Sequence, residues 1–399
     1  MKRYRKQMLA TAAIAAAAFF GTSAEAQYND LLKVLEQNEA ITAEQAAELN
    51  KKAPKYTVRP ATSGVVKDLQ IRGRIQTQFG YVDAKNDEGS DDFNTFEVRR
   101  ARLGLRGTLF DSVRAQLEAN LVPGSDLSMR SAFLQWREHK PLYLKLGYDK
   151  PHSSLEENTS SAEILTIERS LINSLVAAPG PMTGLSLDGD VQMLTYGAGI
   201  YTDSANRNPG GDDARYLYNA MVGVKLDDLV GEGNQLRLQG IYLASDDSNG
   251  NFGARFDDAF TVAAHGVFGG FDLRAEYLLG DDDSSEIKGF YVMPSFYLTD
   301  KVQAVLRYEQ AESDKARGVR APSRYTRDVP SLKVREPEDG VKVDPQRGDE
   351  YQAIYVGLNY YMANHGHKLM AGVEFAELKN TDTGTLESTT FTAAWRMLF

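Results

Sequence analysis

The chain has 399 residues, a formal net charge of −10 and no cysteine. The acidic balance excludes bulk nucleic-acid binding, and the missing thiols exclude a disulfide framework, cysteine metal ligation and a cysteine nucleophile. With 34 Gly, 20 Tyr and 17 Phe and almost no long apolar helical pattern, the composition suits an all-β chain of many alternating segments.

Lys2, Arg3, Arg5 and Lys6 precede an apolar run from Met8 to Phe20, and Ala24-Glu25-Ala26 places small residues around a cleavage point before Gln27. This order predicts a removable secretory signal over residues 1–26, because the apolar run is too short to anchor the chain across a bilayer. Residues 27–53 hold the one convincing helical stretch. Its apolar positions are Leu31, Leu32, Leu35, Ile41 and Leu49, and Thr42 to Gln45 form a capping box. The stretch reads either as a short periplasmic coiled coil or helical hairpin, or as an amphipathic lead docked elsewhere on the chain. Residues 54–68, with Pro54, Pro60 and Gly64, read as a linker.

From Leu69 the period changes to two, which sends successive side chains to opposite faces of an extended strand. In the first run Leu69, Ile71, Gly73, Ile75, Thr77, Phe79 and Tyr81 share one face, while Gln70, Arg72, Arg74, Gln76 and Gln78 share the other. Next, Ala101, Leu103, Leu105 and Leu109 lie opposite Arg100, Arg102 and Arg106. Val113, Ala115, Leu117, Ala119 and Leu121 lie opposite Arg114, Gln116, Glu118 and Asn120. The same alternation sets Lys145 between Leu144 and Leu146, Arg237 between Leu236 and Leu238, Arg274 between Leu273 and Ala275, and Arg307 between Leu306 and Tyr308. It ends with Phe391, Ala393, Trp395, Met397 and Phe399 opposite Arg396.

Runs of about ten residues with aromatic ends have the length of a tilted strand crossing a bilayer. Tight turns are expected at Asp111-Ser112, Glu138 to Pro141, Gly189-Asp190, Gly269-Gly270 and Thr299-Asp300. Long connections are expected at Val82 to Asp92, Gly147 to Met182, Asp203 to Arg215, Ser245 to Asp258, Gly280 to Lys288 and Ala311 to Gly348. This asymmetry of periplasmic turns and extracellular loops predicts a transmembrane antiparallel β-barrel of about 16 strands over residues 69–399. A closed barrel satisfies every backbone group within lipid, and one of this size encloses water.

Leu69 to Val82, Phe96 to Phe110 and Thr166 to Asn173 (TIERSLIN) resemble the phosphate-selective porin O and P family. The terminal Phe399, after Phe391 and Trp395, resembles the end of assembled outer-membrane barrels. The resemblance runs from Leu69 to Phe399 and implies a homotrimeric barrel with an arginine-lined, anion-selective pore and a long third loop folded into the lumen. The residues add a reason of their own. Gly147 to Met182 contains Ile164, Leu165, Ile167, Leu171, Ile172, Leu175 and Val176, too apolar a set for a solvated loop. Packing it on the inner wall leaves Lys150, Ser153, Ser154 and Arg169 near the passage; the alternative is an outward loop against a neighbouring subunit.

The candidate pore-lining, anion-binding residues are therefore Arg72, Arg74, Arg100, Arg102, Arg106, Arg114, Lys145, Lys150, Arg169, Arg237, Arg274, Arg307 and Arg396. A guanidinium stays charged and presents a planar fork to phosphate or carboxylate oxygens, while conduction requires that each site release its ion. Glu97, Glu118, Asp272, Glu276, Glu309 and Glu374 are placed to pair with these cations, which leaves open a weakly selective general porin. A sugar porin using Tyr143, Tyr291 and Tyr297, and a structural envelope protein tethered by its N-terminal helices, are further alternatives. Residues 311–348 carry Lys315, Arg317, Arg320, Arg324, Arg327, Lys333 and Arg335 among acidic residues, as an anion-collecting vestibule or lid or as a plain solvated loop. His139, His152, His265, His365 and His367 form no nucleophile–base pattern, so no enzyme, cofactor or metal centre is expected. The expected partners are outer-membrane lipid and lipopolysaccharide, small anions as solute, and further copies of the chain.

Overall fold

The computed structural model describes residues 65–399 except 140, 203–214, 247–255, 283, 316, 322–324, 335–343 and 381–383. The signal, the helical segment and most of the linker lie outside the described residues. Strands β1 (Val66–Asn86), β2 (Gly89–Leu109), β3 (Val113–Asn120), β4 (Ser128–His139), β5 (Leu142–Asp149) and β6 (Met182–Val191) open the sheet. They are followed by β7 (Leu194–Thr202), β8 (Tyr216–Lys225), β9 (Gln235–Ser245), β10 (Asp258–Phe268), β11 (Phe271–Asp282), β12 (Ser285–Thr299) and β13 (Val302–Ser313). Two short pieces, β14 (Val319–Arg320) and β15 (Arg347–Gly348), pair only with each other, and β16 (Glu350–Ala363), β17 (His367–Asn380) and β18 (Gly384–Leu398) complete the chain. All strands but β14 and β15 form one closed barrel, β18 pairing back onto β1, with every neighbour antiparallel. This is the sixteen-stranded all-β fold expected.

The faces follow the alternation. Leu103, Leu105, Leu117, Leu146, Val222, Ile354, Val356, Leu358 and Trp395 lie exposed on the outside, where an apolar surface suits lipid. The arginine-bearing rows point inward. The inner wall carries apolar residues as well, and two segments of chain cover them. Residues 150–181, between β5 and β6, contain helices α1 (Leu155–Asn158) and α2 (Leu171–Val176). Leu171, Ile172, Leu175 and Val176 join Leu217, Leu243, Leu278, Ile287, Tyr291 and Met293 of the wall in one buried cluster. The second segment, residues 314–349, contributes Val319, Ala321, Tyr325, Val329 and Leu332, all buried, over Val82 and Ala84 of β1.

Three turn expectations need correction. The loop expected from Val82 to Asp92 is the end of two 21-residue strands that pair as far as Asn86 with Gly89, and Gly280 to Lys288 is likewise mostly ladder. Beyond the lipid the outward positions become polar (Asp83, Lys85, Glu286, Lys288), so the apolar-outside rule no longer marks the strand. Gly189-Asp190 lies within β6, and Gln192 and Met193 make the turn, with Gln192 at φ 52°.

Candidate functional site

The lumen is organised by how residues 150–181 are held. Wall carboxylates receive the first backbone N–H groups of both short helices: Leu155 N donates to Glu276 Oε1 at 2.7 Å and Leu171 N to Glu309 Oε2 at 2.6 Å. Such N–H groups have no partner inside the helix. Further along, wall side chains donate to the segment's carbonyls. Lys368 Nζ reaches Ile164 O at 2.8 Å, Asn359 Nδ2 reaches Leu165 O at 2.9 Å, and Arg396 Nη1 reaches Ser161 O at 3.1 Å. At the other end Asn219 Nδ2 donates to His152 O at 3.1 Å. The segment therefore lies along the inner wall from β8 round to β18 and β1.

Beneath it sits a buried ionic knot. Arg307 on β13 lies 3.0 Å from Glu309, 2.9 Å from Glu374 on β17 and 3.7 Å from Glu156 in α1. It also donates to Thr166 Oγ1 at 3.2 Å and to Glu168 O at 3.1 Å. Arg307 and Arg396 are 2% and 1% exposed. Both were expected to line the pore; instead they fasten the segment to the wall. The cause is the segment itself, which covers this side of the lumen and turns inward-facing cations into anchors. Ser153 and Ser154, expected beside the passage, are buried for the same reason, as is Tyr291.

The segment's own cations are also engaged. Arg169 Nε donates to Glu156 O at 2.9 Å and lies 3.1 Å from Glu157, which also pairs with Lys150. Lys145 pairs with Asp149 at 3.0 Å, and Arg274 with Asp272 at 3.1 Å. Arg237 stands on the inward row of β9 opposite Lys225 and His265.

The wall of β1 to β4 is different. Arg74 donates to the hydroxyls of Ser160 and Ser161, Arg100 to Gln76 at 3.0 Å, and Arg106 to Gln116 at 2.8 Å. Arg102 meets Asn120 at 3.2 Å and Glu118 at 3.5 Å. Arg72 and Arg114 occupy the same inward rows. Among the described residues of this wall, Arg102 alone of these six has a carboxylate at ion-pair distance. The wall is positive and held mainly by neutral amides and hydroxyls.

Three lumen arginines were not expected. Arg137 lies over the Tyr143 ring at 4.9 Å and was within reach of plain alternation. Arg99 and Arg130 were not, because each sits at a β-bulge. The ladder skips Arg99 between Arg100 and Val98, and skips Arg130 between Ser131 and Met129. A bulge re-aims the extra residue, here into the lumen. Arg99 grips Glu168 of the inserted segment with two bonds, at 2.7 and 3.0 Å. Burial alone would raise the Glu168 carboxyl, but the charge and hydrogen bonds of Arg99 overcome this and hold it well below the usual carboxylate range.

Residues 314–349 enter from the outer end. The Tyr325 ring lies over Gly80 of β1, where any Cβ would meet it at 2.4 Å, and its hydroxyl bonds to Gln78 at 2.6 Å and Glu97 at 2.8 Å. Arg317, Arg320, Arg327 and Lys333 belong to this segment, while Arg324 and Arg335 lie outside the described residues.

A closed barrel with an apolar exterior and a charged, loop-lined interior defines a bacterial outer-membrane porin. Residues 69–266 match the family model described as phosphate-selective porin O and P. No match to the sequence was found among curated proteins. Among solved structures, the anion-selective porin from Comamonas acidovorans is similar at 14% identity and TM-score 0.57, over 83% of this chain and 99% of that one. OmpT of Vibrio cholerae in its trimer form is similar at 12% identity and TM-score 0.54, over 83% and 99%. OmpF of Salmonella typhi, in complex with daunomycin, gives 13% identity and TM-score 0.53 over 83% and 98%. At these identities the likeness carries the fold.

Proposed function

We propose that this porin is a passive channel for small anions, phosphate among them, constricted by residues 150–181. The observation that carries the reading is the separation of charge across the lumen. Guanidiniums on β11 to β18 are paired or used as anchors and Arg100 is buried against Gln76, whereas Arg72, Arg74, Arg106, Arg114, Arg130 and Arg137 on β1 to β4 have no carboxylate at ion-pair distance among the described residues. A dehydrating anion passing that wall exchanges water for fixed guanidinium donors, each site weak enough to release it. The family's description and the anion-selective Comamonas porin point the same way. The trimer form of OmpT supports a homotrimer, embedded among lipid and lipopolysaccharide, with residues 27–53 on the periplasmic side.

The test is the reversal potential of single channels in a planar bilayer under a potassium chloride gradient. Anion selectivity is expected, reduced when Arg72 and Arg106 are both replaced by Gln. A potential that reports potassium preference, or one at zero, would overturn the reading and favour the mixed-charge alternative, which Glu118 and Asp149 beside the same wall would then explain.

A further inference from the structure

At the short-turn end of the lumen, between β5 and β9, the wall holds a cavity of about 310 Å³. That volume is at the lower end of small-molecule sites, about 300–1,000 Å³, and leaves room for one ring-sized solute.

Most charges around it are matched within the protein. His152 meets Asp188 at 2.5 Å, and Lys225 meets Asp190 at 2.6 Å. Arg237 differs. It and Gln239 are successive inward residues of β9 that line the cavity, and the side chain of neither has a hydrogen-bond or ion-pair partner among the described residues. A guanidinium and an amide N–H side by side make a clamp for one carboxylate. With one unmatched cation and two carboxylates already present, the cavity favours a monoanion over a dianion such as hydrogen phosphate.

The opposite side sets the body of the ligand. Tyr143 on β5 lines the cavity, and the Arg137 guanidinium lies 4.9 Å from its ring centroid. Met221 on β8 lines it as well, and Gly223, between Thr195 and Gln239 in the ladder, adds no side chain to the floor. Four ladder steps separate β5 from β9, about 19 Å at about 4.8 Å per strand. The Tyr143 and Arg237 side chains fill that span with one six-membered ring and its carboxylate between them. A flat π system meets Tyr143 by ring–ring contact and the Met221 thioether at its edge, whereas a saturated body of the same size gains only from the apolar area it buries.

We infer that this cavity binds an aromatic monocarboxylate of single-ring size, such as benzoate. The inference rests on the anion-channel reading above and gives that channel a preferred class of organic solute, at a site apart from the arginines of β1 to β4. The test is block of single-channel current in planar bilayers with the full chain, adding benzoate or cyclohexanecarboxylate at matched ionic strength; the second has the same charge and carbon count without the π system. Benzoate is expected to block at a half-blocking concentration at least about threefold lower, the scale of one aromatic contact. Tyr143→Leu should abolish that preference. Arg237→Gln should raise the half-blocking concentration of both solutes at least about tenfold, since a hydrogen bond to a charged group is lost. Equal block by the two solutes, a benzoate preference that survives Tyr143→Leu, or an Arg237→Gln channel as sensitive as the unsubstituted one would each overturn the assignment. If a variant forms no channels, the two-solute comparison on the unsubstituted protein decides alone. A channel that prefers potassium removes the parent reading; a chloride-preferring channel that does not distinguish the two carboxylates removes only this site.

Discussion

Replacing Arg307 with Met tests how the inserted segment is held. The guanidinium is the one cation within ion-pair distance of Glu309 and Glu374 among the described residues, and it also faces Glu156. Its loss strands three carboxylates, two of them at most 3% exposed. Removing one member of a buried ion pair costs about 3–5 kcal/mol. At about 1.4 kcal/mol per tenfold, the attached and detached states of the segment shift by about two to three and a half powers of ten. The strain acts on the segment directly, because Glu309 receives Leu171 N and Glu156 receives Ser170 N and Oγ, at 3.0 and 2.6 Å. Single-channel recording should show a higher mean conductance or excursions to a larger level, and thermal unfolding should begin at a lower temperature. Adding Glu309→Gln to the same chain removes one stranded charge and should recover part of both. Conductance, current noise and unfolding temperature identical to the unsubstituted channel would show that the knot does not fasten the segment.

Gly80→Leu places a side chain where the Tyr325 ring lies, so the outer segment should be displaced, its protease sensitivity should rise and the mouth conductance should increase; Tyr325→Ala should give the same conductance change without the clash. The Arg99–Glu168 link should survive acid: a depressed carboxyl contributes stability above its unfolded value and loses it only as pH falls through the folded value. Because that value lies below the usual carboxylate range, current noise from the inserted segment should be unchanged from pH 7 to pH 4 and should rise only under more acid conditions, whereas Arg99→Gln should bring the noise up already near pH 4.

The barrel was legible because lipid favours apolar side chains on the outward row, and a strand period of two records this along most of each strand. The inserted segment was legible only in part: seven aliphatic residues in one connection need a covering surface, but they fit the inner wall and a neighbouring subunit equally. What sequence reasoning could not reach is availability. Arg72 and Arg307 look alike in an alternating strand, yet one faces the lumen and the other is sealed beneath α1 and α2, and only the path of residues 150–181 separates them. Strict alternation also hides Arg99 and Arg130, because a bulge shifts the phase by one residue at one place and restores no visible break in the pattern. Arg137, by contrast, lay on the inward row with Phe133 and Gln135 and was simply readable.

One signal for the outer segment was present in β1. Up to Tyr81 the apolar residues stand at odd positions and face lipid; at Val82 and Ala84 they stand at even positions and face inward, while Asp83 and Lys85 turn outward. No bulge against β18 intervenes there, so the backbone has kept its phase and the surroundings have changed sides. The outside has passed from lipid to water, and the inside from water to covering chain. The same exchange recurs on β16, where Tyr351 and Ala353 face inward between exposed Glu350 and Gln352, and on β18, where buried Leu386 precedes exposed Glu387. An inversion of hydrophobic phase at the outer ends of contiguous strands therefore locates, within the lumen, the patch on which an extracellular loop must fold, and here that patch is covered by Tyr325, Val329 and Leu332.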